Sequence, residues 1–272
     1  MRGDYDLIVH DLPKAREIKL YFVGDLHVGA IEANVRAWED FCQLVLKEPF
    51  SYVCILGDMM NNATRSSVSN VFDDAMSQFP RPMEQKRYLV NQLKIISERI
   101  LCIVPGNHEG RSTKDADDEP LYDVACKLDL ENIYRPNIAF MKLSVGKRSD
   151  GKISKPIQVY TAAVTHGSGG GIYTGATVNR NERFAYVLNV DLLAVGHTHK
   201  GTISKPSRID IDSYNNRVSQ KSMTVISCCS WLNYGGYAAR KMLLPSATQD
   251  PERPQTVILS GQRDKRYVKT VW

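Results

Sequence analysis

The sequence predicts an α/β fold. Short apolar runs alternate with stretches of helical periodicity over the first two thirds of the chain, and the last third changes to brief β-prone runs separated by Gly, Pro and Asn. A further observation concerns chemistry. Five apolar runs, ending at Val23, Leu56, Val104, Thr165 and Val195, are each followed directly by metal-type ligands: Asp25 and His27, Asp58, Asn107 and His108, His166, and His197 with His199. Loops at strand ends are where a rigid scaffold carries reactive side chains.

Bulk composition sets the limits. The 272 residues are 43% apolar and 24% charged, as expected of a soluble globule with a sizeable core. We expect one domain over residues 1–272, with 201–272 completing a second sheet. No run approaches the roughly 18 apolar residues of a membrane span, and the first eleven residues lack the apolar core of a signal peptide. The six cysteines form no CxxC pair, and several sit inside apolar runs, where thiols act as small core residues. Cys228 and Cys229 are strand neighbours, whose side chains face opposite sides, which argues against a redox pair. A reduced, cytoplasmic protein is the expectation.

The net charge of +5 is unevenly placed. Residues 201–272 hold eleven Lys or Arg against five Asp or Glu, whereas residues 1–200 hold twenty-four against twenty-five. Such an excess forms a polyanion-binding face if it converges on one patch, and otherwise only keeps the chain soluble.

Taken in order, residues 18–23 read as a buried strand broken by Gly24. Asp25 and His27 follow at i and i+2, a spacing that puts both on one side of an extended backbone. Between Ala33 and Leu46, apolar residues recur every three or four positions, predicting an amphipathic helix with Trp38 and Phe41 in the core. Pro49 closes it, and a strand over 52–56 completes a crossover unit with parallel pairing. Asp58 is placed either to bridge two cations or to cap a helix. Asn61 or Asn62 either supports the site from behind or forms a turn. The Ser-rich stretch Thr64–Asn70 reads as a loop near the site.

A second helix is expected over Pro82–Glu98, leading into the strand that ends at Val104. The acidic run Lys114–Glu119 reads as a helix start before Pro120, since an EF-hand loop would need a Gly and a terminal Glu that are absent. Strands over 138–145 and 157–165 flank a polar turn at 146–155. The glycines after His166 lack the Lys-Ser/Thr ending of a P-loop and read as backbone clearance around a metal. A helix over 181–188 and a strand over 190–195 follow. The runs 223–227, 256–259 and 267–271 read as antiparallel strands.

Five of the six histidines lie in the strand-end loops, leaving only His10 outside. With two aspartates and one asparagine, they make a hard and borderline ligand set large enough for two metals, suited to Mn, Fe or Zn.

Asp25-x-His27, Gly57-Asp58, Gly106-Asn107-His108-Glu109, His166 and Gly196-His197-x-His199 resemble, in order and approximate spacing, the motifs of the calcineurin-like metallophosphoesterase family. The resemblance runs from about Tyr21 to Lys200. It implies a four-layer αββα sandwich of two mixed β-sheets flanked by helices. It also implies two divalent metal ions, most readily Mn, the first held by Asp25, His27, Asp58 and His199 and the second by Asp58, Asn107, His166 and His197. A hydroxide bridging the metals would then attack phosphorus, with His108 protonating the leaving oxygen or stabilising its charge. Glu109 would orient His108 or cap the loop.

Protein phosphatases of this family follow the second motif with Asp-Arg-Gly, whereas Met59-Met60-Asn61-Asn62 stands here. That favours a phosphodiesterase or DNA-repair-type nuclease, with a phosphodiester, possibly DNA, as the substrate. A phosphomonoesterase or small-nucleotide hydrolase is the alternative. Arg111, three residues past His108, either substitutes for the missing arginine or is a solvated loop residue, and the second reading is preferred.

Overall fold

The computed structural model describes residues 3–64, 77–146 and 156–272. The Ser-rich stretch beyond Thr64 and most of the turn after Gly146 lie outside them.

Two mixed sheets, flanked by helices, form the fold. The first contains β2 (Glu17–Val23), β3 (Ser51–Ile55) and β4 (Ile100–Ile103) in parallel, extended at the β2 edge by antiparallel β12 (Thr256–Ser260) and then β13 (Val268–Val271). The second runs β1 (Ile8–Leu12), β5 (Ile138–Val145), β6 (Gln158–Thr165), β7 (Leu192–Val195), β11 (Thr224–Ser227) and β8 (Thr202–Ser204). An exposed ribbon of β9 (Ser207–Asp212) and β10 (Arg217–Ser222) stands beside it. The central strands are buried at nearly every position, which explains their unbroken apolar runs.

The helices follow from local chemistry. In α1 (Val35–Lys47) the Asn34 side chain accepts the Ala37 amide at 3.1 Å, and Trp38, Phe41, Cys42 and Val45 form the buried face. Trp38 and Phe41 are core residues, packed on Trp231 with ring centroids 5.4 and 5.2 Å away. In α2 (Pro82–Ile95) proline occupies the first turn and Glu84 accepts the Arg81 amide at 3.1 Å. It stops before Glu98, and a 3-10 turn over Ser97–Arg99 leads into β4.

The sheets are pinned together. Tyr160 on β6 donates its hydroxyl to Ser260 O of β12 at 2.9 Å, and His10 Nε2 of β1 lies 2.7 Å from Leu101 O of β4. His10, the histidine outside the strand-end loops, therefore has a structural partner. All six cysteines are free; five are buried, and Cys126 is exposed.

Several boundaries differ from the sequence expectation. Residues after Gly201 supply strands to both sheets, where the pattern predicts the second alone; β11 is parallel to β7 and antiparallel to β8. Pairing direction depends on which neighbour a strand meets, and composition carries no such information. The helix expected at 181–188 is α5 (Thr174–Ala185), and it begins despite Gly175 because Asn181, Thr177 and Ala185 find a buried face. The acidic run belongs partly to α3 (Glu109–Ala116), which ends at Asp117 in the left-handed conformation; α4 (Pro120–Lys127) starts afresh at the proline. The sequence expectation includes neither the short helix α6 (Gly236–Arg240) nor the edge strand β1.

Candidate metal centre

The five strands β2, β3, β4, β6 and β7 bring their C-terminal ends to one place, three from one sheet and two from the other. There the donor atoms of Asp25, His27 and His199 lie within 4.8 Å of one another, as do those of Asp58, His166 and His197. A third such set, His27, Asp58 and His108, lies between them. Asn107 completes the group, its Oδ1 being 2.8 Å from His197 Nδ1 and 3.1 Å from His166 Nε2. The structure thus brings Asp25, His27, Asp58, Asn107, His108, His166, His197 and His199 together.

They do not converge in the way their spacing suggests. Asp25 and His27 are not on an extended backbone; both are left-handed, with φ of 54° and 50°. Asp58, His197 and His199 share this conformation, at 49°, 70° and 58°. Asp, Asn and His enter this region more readily than other side chains, yet each such residue costs about 1–3 kcal/mol and must be held there. Backbone hydrogen bonds do the holding: Asp25 and His27 donate to Gly57 O and Asp58 O, both at 2.9 Å, and the His197 amide donates to Asp25 Oδ2 at 2.9 Å. Gly57 and Gly106 let the loops touch, since a Cβ on Gly57 would meet Gly106 N at 2.2 Å. Of the later glycines, Gly167 needs its clearance against Val195, whereas Gly170 faces open space.

Glu109 is the buried residue that organises these loops. Its carboxylate accepts the amides of Asp58 at 2.9 Å, Met60 at 3.0 Å and Gly106 at 2.8 Å. It caps the loops through these three amides. Burial, together with the nearby Asp58 charge, pushes its pKa up to about 7. Asp58 is no helix cap. Its Oδ1 accepts the His108 amide at 2.7 Å, and Oδ2 is 3.3 Å from His166 Nε2. Burial alone would raise its pKa, but His166, His27 and His108 outweigh it and hold the carboxyl well below the usual range. Burial likewise opposes a charged His166, yet Asp58 takes its pKa up to about 10, so a proton must leave Nε2 before that nitrogen can serve as a ligand. Leu56 O, 2.6 Å from Nδ1, fixes the ring.

Two features test whether cations fit. Asp25 Oδ1 is buried and has no hydrogen-bond partner among the described residues. His27 Nε2 and His199 Nε2 face one another at 3.2 Å, and both lie toward that oxygen, at 3.9 and 3.2 Å. Converging lone pairs of nitrogen and oxygen suit a borderline divalent ion. The residues fit.

Arg111 is not a solvated loop residue. It donates to Asn61 O at 2.9 Å and lies 2.8 Å from His108 Nε2, while His108 Nδ1 is 3.0 Å from Asn61 O. With Nε2 accepting from the guanidinium, the His108 proton sits on Nδ1; burial and Arg111 lower its pKa to about 4. Asn61 acts through its carbonyl and Asn62 through its side chain, which donates to His108 O at 2.9 Å and accepts from Ser112 at 3.0 Å. Ser112 and the helical setting of Arg111 had no signal in the sequence, because α3 is short and polar.

No helix among the described residues is long and apolar enough to cross a membrane.

No curated protein matches the chain. Among solved structures, a metallophosphoesterase from Sphaerobacter thermophilus is 15% identical, with a TM-score of 0.39 over 94% of this chain and 89% of that one. A conserved uncharacterized protein from Streptococcus pneumoniae TIGR4 is 12% identical, with a TM-score of 0.34 over 93% and 97%. Wild-type Vps29 complexed with zinc, from Entamoeba histolytica, is 12% identical, with a TM-score of 0.36 over 93% and 98%. The family model for calcineurin-like phosphoesterases matches residues 18–201, a span that contains every ligand-type side chain of the site. The chain belongs to the calcineurin-like phosphoesterase family and is a metal-dependent hydrolase of phosphate esters.

Proposed function

We propose that the chain hydrolyses phosphodiester bonds at a two-cation centre, with manganese as the expected ion and iron or zinc as alternatives. The observation that carries the reading is the convergence of seven ligand-type side chains from five strand ends, in donor sets that adjoin at Asp58. In this assignment Asp25, His27, Asp58 and His199 hold one cation, and Asp58, Asn107, His166 and His197 the other. Two cations bound there supply Lewis acidity at the phosphoryl oxygens and acidify the attacking water.

The chain's own residues position and exchange protons. Glu109 sets the Asp58 loop, and Leu56 O turns His166 inward. A phosphoryl oxygen that takes the Arg111 N–H would free His108 Nε2 to take up a proton from solvent and pass it to the leaving oxygen, while the Nδ1 proton stays on Asn61 O. A diester carries less charge at phosphorus than a monoester dianion. A site with Arg111 in reach, and no arginine after the second motif, supports the diester reading.

A compact substrate is favoured over a nucleic-acid polymer by where three of the eleven basic C-terminal residues lie. Arg208, Lys221 and Arg266 line a hollow around Asp191, at the end of β7 away from His197. Each has a partner: Leu188 O for Arg208 at 2.8 Å, Asp210 for Lys221 at 2.5 Å and Asp191 for Arg266 at 2.7 Å. A DNA nuclease is the second reading, favoured by the net charge of +5. Free, buried thiols suit a reducing cytoplasm, and a single working unit over residues 1–272 belongs to the same proposal.

The test is manganese-dependent hydrolysis of bis(4-nitrophenyl) phosphate and 4-nitrophenyl phosphate side by side, with His108→Ala as control and labelled single- and double-stranded DNA in parallel. Diester cleavage that His108→Ala loses supports the proposal. Monoester cleavage alone would overturn it, and degradation of DNA would move the assignment to the nuclease.

A further inference from the structure

Beside the cluster lies a cavity of about 770 Å³, bounded by Asn107 and His166 on one side and by residues of α3, α4 and α5 on the others. Pockets for small organic ligands span about 300–1,000 Å³ and are mostly apolar, with a few placed polar groups. Tyr134, Phe184 and Leu121 supply the apolar wall here.

Two polar side chains in the lining have unmet hydrogen-bonding capacity. Asn181 is 4% exposed, and its Nδ2 is buried with no hydrogen-bond partner among the described residues. Glu119 Oε2 is buried in the same condition. Buried polar atoms are nearly always paired, and each exception calls for a physical reason. One orphan is a donor and the other an acceptor, and both belong to residues that line the cavity opening onto the reactive centre.

We propose that this cavity is a nucleobase pocket, in which a nucleoside portion of the phosphodiester substrate lies with Asn181 donating to a base acceptor and Glu119 accepting from a base N–H. The proposal rests on the phosphodiesterase reading above. A nucleobase fits because it carries acceptors and donors along one edge and a flat face for the aromatic wall. An aliphatic group would leave both polar atoms unpaired, and a bare sugar would leave the aromatic wall without a flat partner. The phosphate attached to such a nucleoside would be carried toward Asn107 and His166, which belong to both the pocket and the cluster.

Titration calorimetry of the full metal-loaded chain with guanosine, adenosine, cytidine and uridine, which have no phosphoester to cleave, and with ribose as control, reads the pocket without turnover. At least one nucleoside is expected to bind with a Kd below about 1 mM, and ribose is not. Asn181→Leu and the nearly isosteric Glu119→Gln are each expected to weaken that binding tenfold or more. Failure of all four nucleosides to bind, or binding that neither substitution changes, overturns the proposal. Bis(4-nitrophenyl) phosphate hydrolysis with manganese, run on the same preparation, separates the two failures. If hydrolysis proceeds while nucleosides do not bind, only the pocket is wrong; if hydrolysis is absent, the phosphodiesterase reading fails and the pocket falls with it.

Discussion

The Glu109 carboxylate accepts the backbone amide of Asp58 at 2.9 Å, tying the loop after β4 to the loop after β3 at the residue shared by both proposed cation sites. The same carboxylate takes the amides of Met60 and Gly106. Truncation would leave three buried donors unpaired, at about 1–3 kcal/mol each. Glu109→Ala is therefore expected to lower unfolding stability by about 3 kcal/mol or more in urea titrations, and to weaken metal binding roughly 10- to 100-fold through the disturbed Asp58. A loss under about 1 kcal/mol would show that water replaces the carboxylate.

Arg111 bridges Asn61 O and His108 Nε2. Removing one preorganised donor from a developing charge typically costs about 10²–10³ in kcat. Arg111→Ala should therefore reduce kcat on a diester by about that factor while the metal content stays at the wild-type value. An unchanged kcat would assign Arg111 to loop bracing alone.

Asp25 Oδ1, buried with no hydrogen-bond partner among the described residues, and the facing His27 and His199 nitrogens leave the site under-satisfied without a cation. A cation at about 100 times its Kd stabilises a fold by about 2.7 kcal/mol, roughly 5 °C or more in Tm for a chain of this size. Chelation should lower Tm by that amount, and manganese should restore it, with two ions per chain by elemental analysis. Asp25→Asn should shrink the response. A Tm indifferent to chelator would count against the centre.

His10 offers a pH test away from that centre. Burial holds its pKa below the ordinary value of 6.5, outweighing the Leu101 carbonyl and Asp11, which act the other way. The folded state therefore disfavours the proton that the unfolded chain accepts, so this stability is present above pH 6.5 and is lost as pH falls through the lower folded value. His10→Gln keeps a donor for Leu101 O without titrating. The stability difference between wild type and variant should turn against the wild type below about pH 6.5; parallel pH curves would refute the assignment.

Much of the site was legible in the sequence because ligand chemistry needs particular side chains, and those of Asp25, His27, Asp58, Asn107, His166, His197 and His199 stand directly after apolar strands. The strands themselves were legible for a similar reason: a strand buried on both faces must be apolar throughout, as β3, β4 and β7 are. Strand order, pairing direction and the roles of Glu109 and Arg111 depend on contacts between segments distant in the chain. Glu109 is 51 residues from Asp58, and nothing local distinguishes it from a helix-capping acid. The left-handed conformation of five candidate ligands likewise arises from amides and carbonyls of neighbouring loops. Local sequence thus determined which atoms could hold metal, because side-chain chemistry is a property of each residue. Only the tertiary structure decided how they face one another, because long-range hydrogen bonds and packing against the second sheet set the backbone that aims them.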